Sequence, residues 1–417
     1  MPTPVKTAPR KPRESEEDQD DATTLTLCDL SVALALAQAR GRADAESRQQ
    51  SVDFQKIIKR SLHQKKDEVL YDALARTETL GRHAAAYLKQ AVEEAAEMTV
   101  IERSDGRRME INAFVIPLFL HTVGGLDAGR CFQDQAAFEA LSQSFQIGKL
   151  ESPEASVVLV NHGYHLNEID GITFSHLHEM LRDAFGAMTD KRIAATPAID
   201  RSFGGWPDSP FAAVDSAIEL RFLLGFSLKA VDDPFYAVPD DDAAADAFFA
   251  ERELRFQKWT ASVAPLVRQC FGLPVAALGV SEPDVHFLYQ DLFHGGKERG
   301  IAEYFMLQVM SALNHDLDAA DTDAGQVHAF IGPAETDDEP VLRIQLRASA
   351  DSVLVATADK PIHGLPDWDL EFTDAEGALA MIGVAAVSVV KQFDGSGMPV
   401  GAKPYAAPET VGMGMPD

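Results

Sequence analysis

The opening part of the chain places its apolar residues at helical intervals. Leu27, Leu30 and Leu34 recur three or four positions apart, which predicts a helix over residues 25–39 with one buried stripe. Residues 1–24 are rich in proline and charge and have little apolar surface to bury, so we expect a disordered arm there. Further helical segments are predicted over residues 44–60 and 66–97, the latter with a break near residues 77–81.

The pattern changes to that of strands after Met98. Two β-rich runs on either side of Asp105-Gly106 predict a hairpin. The second run, residues 109–120, is apolar almost throughout, which predicts a strand buried on both faces. Strict alternation of apolar residues over residues 217–230 predicts a long strand, with Gly225 as a candidate bulge.

The second half of the chain alternates helices with strands. Residues 231–246 are rich in proline and aspartate, and we interpret them as a domain boundary. Arg343, Gln345 and Arg347 alternate with apolar residues, which predicts a strand with one solvated face. The other predicted elements are a helix over 243–271, a strand over 275–280, a helix from Ser281, strands over 326–331, 341–348 and 352–357, and a buried helix over 375–393.

These elements together predict an α+β (mixed α/β) fold. A helical N-terminal region is followed by two mixed halves that contain both sheet and helix. The predicted divisions are a disordered arm over 1–24, a helical region over 25–97, a first half over 98–235, a second half over 236–394 and a flexible tail over 395–417.

Residues 157–185 combine the largest number of chemically capable side chains. Residues 157–160 predict a short buried strand, residues 161–172 a loop, and Thr173 the cap of a helix. An imidazole can transfer a proton at neutral pH, and a nearby carboxylate can orient it or activate water. The candidate catalytic residues are therefore His162, His165, Glu168 and Asp170.

The same stretch supplies three candidate metal ligands, His162, His165 and His176. On a helix, His176 and His178 point in different directions, so only one of them could join the loop histidines at a metal. No HExxH, paired CxxC or calcium-loop spacing accompanies them, so the sequence names no cofactor. The alternative interpretation is that these histidines are solvated or structural hydrogen-bonding groups.

Two other stretches could present amides or cations to an anion. Residues 124–130 are glycine-rich after a predicted strand, and residues 294–299 place basic side chains beside two glycines. Neither stretch has the spacing of a Walker or dinucleotide motif. Turns are the simpler interpretation of both.

Charge and composition narrow the class of partner. The chain has 65 acidic against 37 basic residues, and its net charge of -28 argues against binding to nucleic acid or an anionic membrane. Three widely spaced cysteines suit reduced thiols. The first residues lack the apolar core of a signal peptide, and the apolar runs over 113–120 and 378–390 are too short to span a bilayer. We expect a cytoplasmic protein.

The order of these elements resembles a mainly β-proteobacterial family known as domain of unknown function 2863. The resemblance covers most of residues 25–360 and rests on short strings within the predicted elements. These strings are Ala39-Arg-Gly, Asp105-Gly106, residues 161–170, Leu273-Pro274, Pro283-Asp284 and Tyr289. The resemblance implies a bacterial intracellular protein and identifies no catalytic residue.

Three functions remain open from the sequence, of which nucleotide or anion binding at residues 124–130 or 294–299 ranks below the other two. The first is a non-enzymatic protein that acts through a protein partner or by self-association, since no complete catalytic motif is present. It requires an apolar or aromatic patch that stays exposed after folding. The alternative is a metal-assisted, hydrolase-like enzyme centred on residues 161–179, which requires those side chains to converge in a pocket.

Overall fold

A computed structural model gives the fold of the chain. It describes residues 16–41, 44–103, 105–122, 132, 134–189, 217–272, 285–289, 291–336, 339–362 and 367–405. Within these ranges the predicted α+β class is confirmed. The chain forms two large sheets, and helices lie between their strands in the sequence.

The N-terminal region is helical, as the sequence predicts. Its helices are α1 (Glu16–Ala39), α2 (Ala45–His63), α3 (Asp67–Leu80) and α4 (Arg82–Glu97). Leu27, Phe54, Leu70 and Leu88 are fully buried and belong to one hydrophobic core. The break between α3 and α4 falls at Gly81, whose φ of 157° few other residues tolerate.

The predicted arm is wrong for residues 16–24, because α1 begins at Glu16. Asp20 pairs with Lys66 and Asp21 with Arg76, so this acidic turn is anchored to α3 and the residue before it. Acidic side chains also complement the positive N-terminal end of a helix dipole. Residues 1–15 lie outside the described residues.

One described helix, α1, is long and apolar enough to cross a bilayer. The segment Glu17–Ala39 has a window of mean hydropathy 1.4, of which 28% is buried in the fold. Its apolar character comes mainly from leucine and alanine. A core helix or a signal sequence meets the same criterion, which makes this weak evidence for a membrane.

The first sheet has the strand order β1-β2-β4-β3, with two short strands, β5 and β6, also paired to β2. All of these pairings are antiparallel. The strands are β1 (Met98–Glu102), β2 (Arg108–Thr122), β3 (Ser156–His165), β4 (Ala217–Ala230), β5 (Val285–Phe287) and β6 (Asp291–Leu292). The predicted hairpin and the long strand over residues 217–230 are confirmed.

Helices cover both faces of this sheet. Val115 and Phe119 of β2 face the core shared with the N-terminal helices, whereas Phe114 and Ile116 face a second core. The strand is therefore buried on both faces, as predicted. The covering helices are α5 (Gln135–Ile147), α6 (Leu166–Asp170), α7 (Phe174–Thr189), α8 (Asp242–Cys270) and α9 (Phe293–Ala319).

Gly225 is not a bulge. It stays in register with Phe114 on β2, and the irregularity lies on β3, between Leu159 and Gly163. A Cβ at Gly225 would meet the Phe114 ring at 2.3 Å and Leu159 at 2.8 Å. Glycine is needed there to make room for neighbouring side chains.

The domain boundary predicted over residues 231–246 does not separate two cores. Helix α8 follows it and packs back on the first sheet, where Phe256 and Trp259 join the core that contains Phe145. The Trp259 indole donates a 2.8 Å hydrogen bond to Ser144. The aspartates that suggested a linker instead cap α8, since Asp241 accepts from the Ala244 amide at 3.0 Å.

The second sheet has the order β13-β10-β7-β8-β9, and only the β7–β10 pairing is parallel. The second half of α9 and helix α10 (Trp368–Met381) pack on one face. The remaining strands are β7 (Val327–Thr336), β8 (Glu339–Ala348), β9 (Leu354–Pro361), β10 (Ala386–Val389), β11 (Gln392–Phe393), β12 (Pro399–Val400) and β13 (Lys403–Pro404).

The solvated face predicted for β8 is wrong. Gln345 and Arg347 are only 3% and 6% exposed, and both donate to the carbonyl of Gly397, at 2.9 and 3.2 Å. Residues 395–405 are therefore folded against the sheet rather than flexible. Residues 406–417 of the predicted tail lie outside the described residues.

Two predicted helices also differ from the structure. The helix over residues 375–393 ends at Met381, and Gly383, with a φ of 92°, precedes a return into strand β10. The helix from Ser281 is replaced by β5, which pairs with β2. The strand predicted over residues 275–280 lies outside the described residues.

Candidate functional site

The loop predicted over residues 161–172 is mostly regular structure. Strand β3 continues to His165, and the short helix α6 follows at once. Pairing with β4 moves from Leu159–Gly225 to Gly163–Leu223, so β3 has extra residues between these pairs. Such a bulge redirects side chains locally. His162 lies within it, and 12% of its side-chain surface is exposed.

The structure brings His162 and Glu168 together. Nε2 of His162 lies 3.1 Å from Oε2 of Glu168. The same carboxylate oxygen accepts a 2.8 Å hydrogen bond from the His165 amide. Glu168 is buried, with 7% of its surface exposed. The pairing predicted between a histidine and a carboxylate in this stretch is thus present.

His165 has a structural role at the start of α6. Its Nδ1 accepts a 3.2 Å hydrogen bond from the Asn167 amide, and together with Glu168 it forms a capping box. His165 on β3 pairs with Arg221 on the neighbouring strand β4. Arg221 is almost fully buried and lies 3.1 Å from Glu219. We call His162, His165, Glu168, Glu219 and Arg221 the polar cluster.

Electrostatics in the polar cluster favour one set of protonation states. Burial alone would raise the pKa of Glu168, but hydrogen bonds from His162 and the His165 amide, with the charge of Arg221, hold it below its ordinary value. Burial, and then the charge of Arg221, lower the pKa of His165. At neutral pH the carboxylate is ionised and the His165 ring is neutral.

The other predicted site residues lie elsewhere. Asp170 points to α9, where it meets Lys297 at 3.2 Å. His176 lies on α7, one turn before Glu179, which is paired with Lys65. Within the described ranges, no three His, Cys, Asp or Glu side chains are grouped so that they could hold a metal ion. The candidate ligands His162, His165 and His176 are therefore not assembled into a metal centre.

A second histidine and carboxylate pair was missed from the sequence. His294 and Glu97 are both buried, and the Glu97 carboxylate receives the His294 amide at 2.8 Å and lies 2.9 Å from its ring. Residues 294–299, which the sequence predicted as a turn between helices, lie in the first turns of α9. The other anion candidate, residues 124–130, lies outside the described residues.

A larger feature, the aromatic cavity, lies where five elements meet. Its volume is about 810 Å³, within the usual range for small-molecule sites, and it opens to solvent. The end of β4, the turn Pro234–Tyr236, the middle of α8, residues 287–289 and the first turns of α9 form its walls. Its rings are Tyr236, Phe248, Phe249, Phe256, Phe287 and Tyr289, and its cations are Lys229, Arg252 and Arg299.

Helix α8 supplies half of the lining residues because of its spacing. Phe248, Arg252 and Phe256 lie four residues apart and therefore share one face of the helix. Phe256 forms the base, with its ring centre 5.0 Å from that of Tyr289. Phe249 lies at the mouth and is 55% exposed.

Two of the three cations of the aromatic cavity, Arg252 and Lys229, are held against rings. The Arg252 guanidinium lies 5.4 Å from the Phe248 ring centre, and its Nε donates to the Tyr289 hydroxyl at 3.3 Å. Lys229 lies 4.5 Å above the Tyr236 ring and is paired with Glu110. Burial, together with Glu151, raises the pKa of Tyr236, so its hydroxyl stays protonated.

The sequence offered one signal for this cavity. The run from Phe248 to Arg255 combines adjacent aromatic residues with arginines at helical spacing, which is unusual in so acidic a chain. The aromatic residues at 234–236 were hidden in the stretch interpreted as a linker. Arg299 belongs to the stretch 294–299 that the sequence indicated as a candidate anion site, whereas the contribution of Tyr289 depends on tertiary structure alone.

Comparison with known proteins identifies no relative. No family model, no curated protein and no solved structure matches the chain. The resemblance to domain of unknown function 2863 therefore stays a prediction, and only the geometry of the chain bears on its function.

Proposed function

We propose that this chain is a non-catalytic binding protein whose ligand occupies the aromatic cavity. The ligand would be a small molecule with a flat aromatic ring and an anionic group, such as a phosphate. The observation that carries the proposal is the coincidence of six aromatic rings and three cations around one open volume. The proposal agrees with the first expectation from the sequence in being non-enzymatic, but it replaces the expected protein partner or self-association with a small-molecule ligand.

The rings favour a flat apolar group. Aromatic side chains stack on one another and on ligand rings with centroids roughly 4.5–7 Å apart. Phe248 and Phe249 are in contact with each other at the mouth, and Phe249 remains more than half exposed. A ligand ring laid against them would remove this apolar surface from water, which is favourable.

The charges favour an anion. In the described part of the chain, Arg252 and Arg299 form no ion pair with a carboxylate, and Glu253 is the one acidic lining residue. Glu253 accepts instead from Gln257, at 3.2 Å. The cavity is therefore locally cationic in a chain of net charge -28. Arginine presents several N–H donors in a plane, which suits phosphate and carboxylate.

Catalysis has less support. The described lining of the aromatic cavity includes neither histidine nor cysteine, and the His162–Glu168 pair lies outside it. A hydrolase centred on residues 161–179 would need a space in which a substrate could meet that pair. In the structure, Nε2 of His162 and Oε2 of Glu168 are instead engaged with each other.

The experiment is a thermal-shift comparison with three probes. We use 1-naphthyl phosphate, which has ring and charge, 1-naphthol, which has the ring, and inorganic phosphate, which has the charge. Preferential binding to the folded state raises the melting temperature. We expect 1-naphthyl phosphate to stabilise the protein more than either of the other probes.

Two variants on the same helix locate the effect. Arg252→Gln removes a lining cation, whereas Arg255→Gln removes an arginine that is ion-paired with Glu251 and does not line the cavity. The stabilisation should disappear in the first variant and persist in the second. Equal stabilisation of both variants, or none of the wild type, would reject the proposal.

A further inference from the structure

A second cavity opens between α9 and α10. Its volume is about 610 Å³, which is also within the usual range for small-molecule sites. Strand β9 contributes Lys360 to its wall, and Ile382 lines it just after the end of α10. Met306, Met310 and Met381 belong to the lining as well, and we call this space the methionine cavity.

Small side chains on the facing helices keep the methionine cavity open. Ala302 of α9 lies on one wall, and Gly377 and Ala378 of α10 lie on the other. A Cβ added at Gly377 would meet nothing within 4 Å. In a close-packed interior, larger side chains would fill such a gap. The two helices therefore leave room for a ligand here.

The apolar lining suits a flexible aliphatic group. Met306 and Met310 are buried at the base of the methionine cavity, and Met381 is 79% exposed at its mouth. Methionine is unbranched and adapts its shape to a neighbouring group. A ligand chain laid against Met381 would remove apolar surface from water, which is favourable.

The charges of the methionine cavity favour a cation. Glu303 on α9 and Asp374 on α10 are exposed carboxylates on opposite walls, and within the described residues neither forms an ion pair. The buried Lys360 is already paired with Glu371. Two free carboxylates against one free cation, Arg299, leave a net negative charge in the lining.

The environment of Asp374 also favours a bound cation. Removal of water from around its carboxyl group raises its pKa, and the charge of Lys360 offsets part of this effect. A nearby positive group stabilises the charged form of such a carboxylate. A cation that enters the methionine cavity would supply that group.

The methionine cavity and the aromatic cavity are neighbours with opposite charge. Arg299 lines both of them. The aromatic cavity has an excess of cations, whereas the methionine cavity has an excess of carboxylates. A ligand attracted by one cavity is therefore repelled by the other, and the charge of a probe distinguishes the two sites.

We propose that the methionine cavity is a second ligand site, which takes a small aliphatic amine. Its chain would lie against Met306, Met310 and Met381, and its ammonium group would meet Glu303 and Asp374. A metal ion is not the expected cation, because no three metal-binding side chains are grouped in the part of the chain that the structure describes. This site does not depend on the ligand proposed for the aromatic cavity.

The first test is an NMR titration of protein labelled at its methionine methyl groups. The signals of Met306, Met310 and Met381 are assigned by replacing each residue with leucine. The three probes have similar chains and different charges: hexylamine is positive, hexan-1-ol is neutral and hexanoate is negative. We expect hexylamine to shift all three signals and to bind about fivefold more tightly than hexan-1-ol, because partly exposed ion pairs contribute modestly.

Two outcomes of this titration would overturn the proposal. One is that none of the three methionine signals shifts with hexylamine. The other is that hexanoate binds as tightly as hexylamine, which would mean that the carboxylates do not select the ligand.

The second test separates the two carboxylates from the overall acidity of the chain. Glu303→Gln/Asp374→Asn should bind hexylamine no better than hexan-1-ol. The matched control is Asp369→Asn/Glu376→Gln, which removes the same charge from α10 at positions that do not line the methionine cavity. This control should keep the preference for hexylamine, and circular dichroism should show that both variants are folded. An equal loss in both variants would overturn the proposal.

The third test distinguishes this site from the aromatic cavity and from contact with a second copy. Arg252→Gln should bind hexylamine like the wild type, because Arg252 lines only the aromatic cavity of the two. Loss of hexylamine binding in that variant would place the amine in the wrong cavity. A Met381 signal that shifts with protein concentration in the absence of any probe would show that another copy covers the mouth, which would also reject the proposal.

Discussion

The polar cluster and the aromatic cavity both gather charged residues, but they use those charges differently. In the polar cluster, the Glu168 carboxylate is satisfied by His162 and the His165 amide, and Arg221 lies against Glu219. In the aromatic cavity, Arg252 lies against the Phe248 ring, and Arg252 and Arg299 both line an open volume of about 810 Å³. Charges that are satisfied within the chain stabilise the fold, whereas charges left facing open space can recognise a ligand.

The strongest test of this difference is the removal of one carboxylate from each region. Glu168→Ala leaves the His165 amide and nearby Arg221 without the buried carboxylate. Breaking a buried, paired charge typically costs about 3–5 kcal/mol, and we expect a loss of about 3 kcal/mol in the free energy of unfolding. Glu253→Ala, at the exposed rim of the cavity, should change it by less than ~0.5 kcal/mol.

Urea denaturation followed by circular dichroism measures both values. Equal, small effects of the two substitutions would mean that the polar cluster does not stabilise the fold, and the contrast between the regions would fail.

The bulge that shapes the polar cluster can be tested next. A Cβ at Gly163 would come within 2.3 Å of the Phe271 ring and 3.0 Å of Phe132. Overpacking of this kind costs about 1–3 kcal/mol, so Gly163→Ala should lower the free energy of unfolding by that amount. Gly377→Ala on α10 meets nothing within 4 Å and is the control; it should be neutral or stabilise by up to ~1 kcal/mol.

The pH dependence of stability tests the polar cluster, because the pKa values of both Glu168 and His165 are shifted in the folded chain. The folded pKa of Glu168 lies below its unfolded value of about 4.3, so its stabilisation is present above that pH and lost as the pH falls through the folded value. The folded pKa of His165 is also lowered, so acid destabilises the fold below about pH 6.5 as well. Each group contributes a slope of at most about 1.4 kcal/mol per pH unit.

Unfolding free energies at a series of pH values, compared with those of Glu168→Gln, measure this effect. The variant should lose part of the slope below about pH 5, where the carboxylate of the unfolded chain begins to take up protons. An unchanged slope would show that Glu168 is not held in its charged form by the fold.

Ionic strength should give the smallest difference. Arg299 is exposed, so added salt should screen its attraction for an anionic ligand and weaken binding by roughly threefold between low and physiological salt. The buried pair of His162 and Glu168 is screened much less, and the effect of Glu168→Ala on stability should stay nearly constant. Calorimetric titration and urea denaturation at two salt concentrations check these expectations.

Local patterns predicted the elements that are determined locally. The Asp105-Gly106 turn predicted the hairpin, and the alternation of apolar residues predicted β4, because burial of one face imposes that period. The long helix α8 was also found from its own pattern. The pairing of His162 with Glu168 was anticipated as a type of contact within one short stretch.

The errors share a physical origin in tertiary contacts. Gln345 and Arg347 are polar, but residues near Gly397 return to cover them. The apolar run after Met381 is compatible with a helix, yet β7 provides a strand to pair with. The aromatic cavity was missed because Tyr236, Arg252, Tyr289 and Arg299 come together only in the folded chain.

The most direct measurement is a calorimetric titration of 1-naphthyl phosphate into the wild type, Arg252→Gln and His162→Gln. If the aromatic cavity is the ligand site, the wild type binds, His162→Gln binds with the same affinity, and Arg252→Gln loses binding by about tenfold or more. If His162→Gln abolishes binding while Arg252→Gln leaves it intact, the ligand binds at the polar cluster, and the aromatic cavity is not the ligand site.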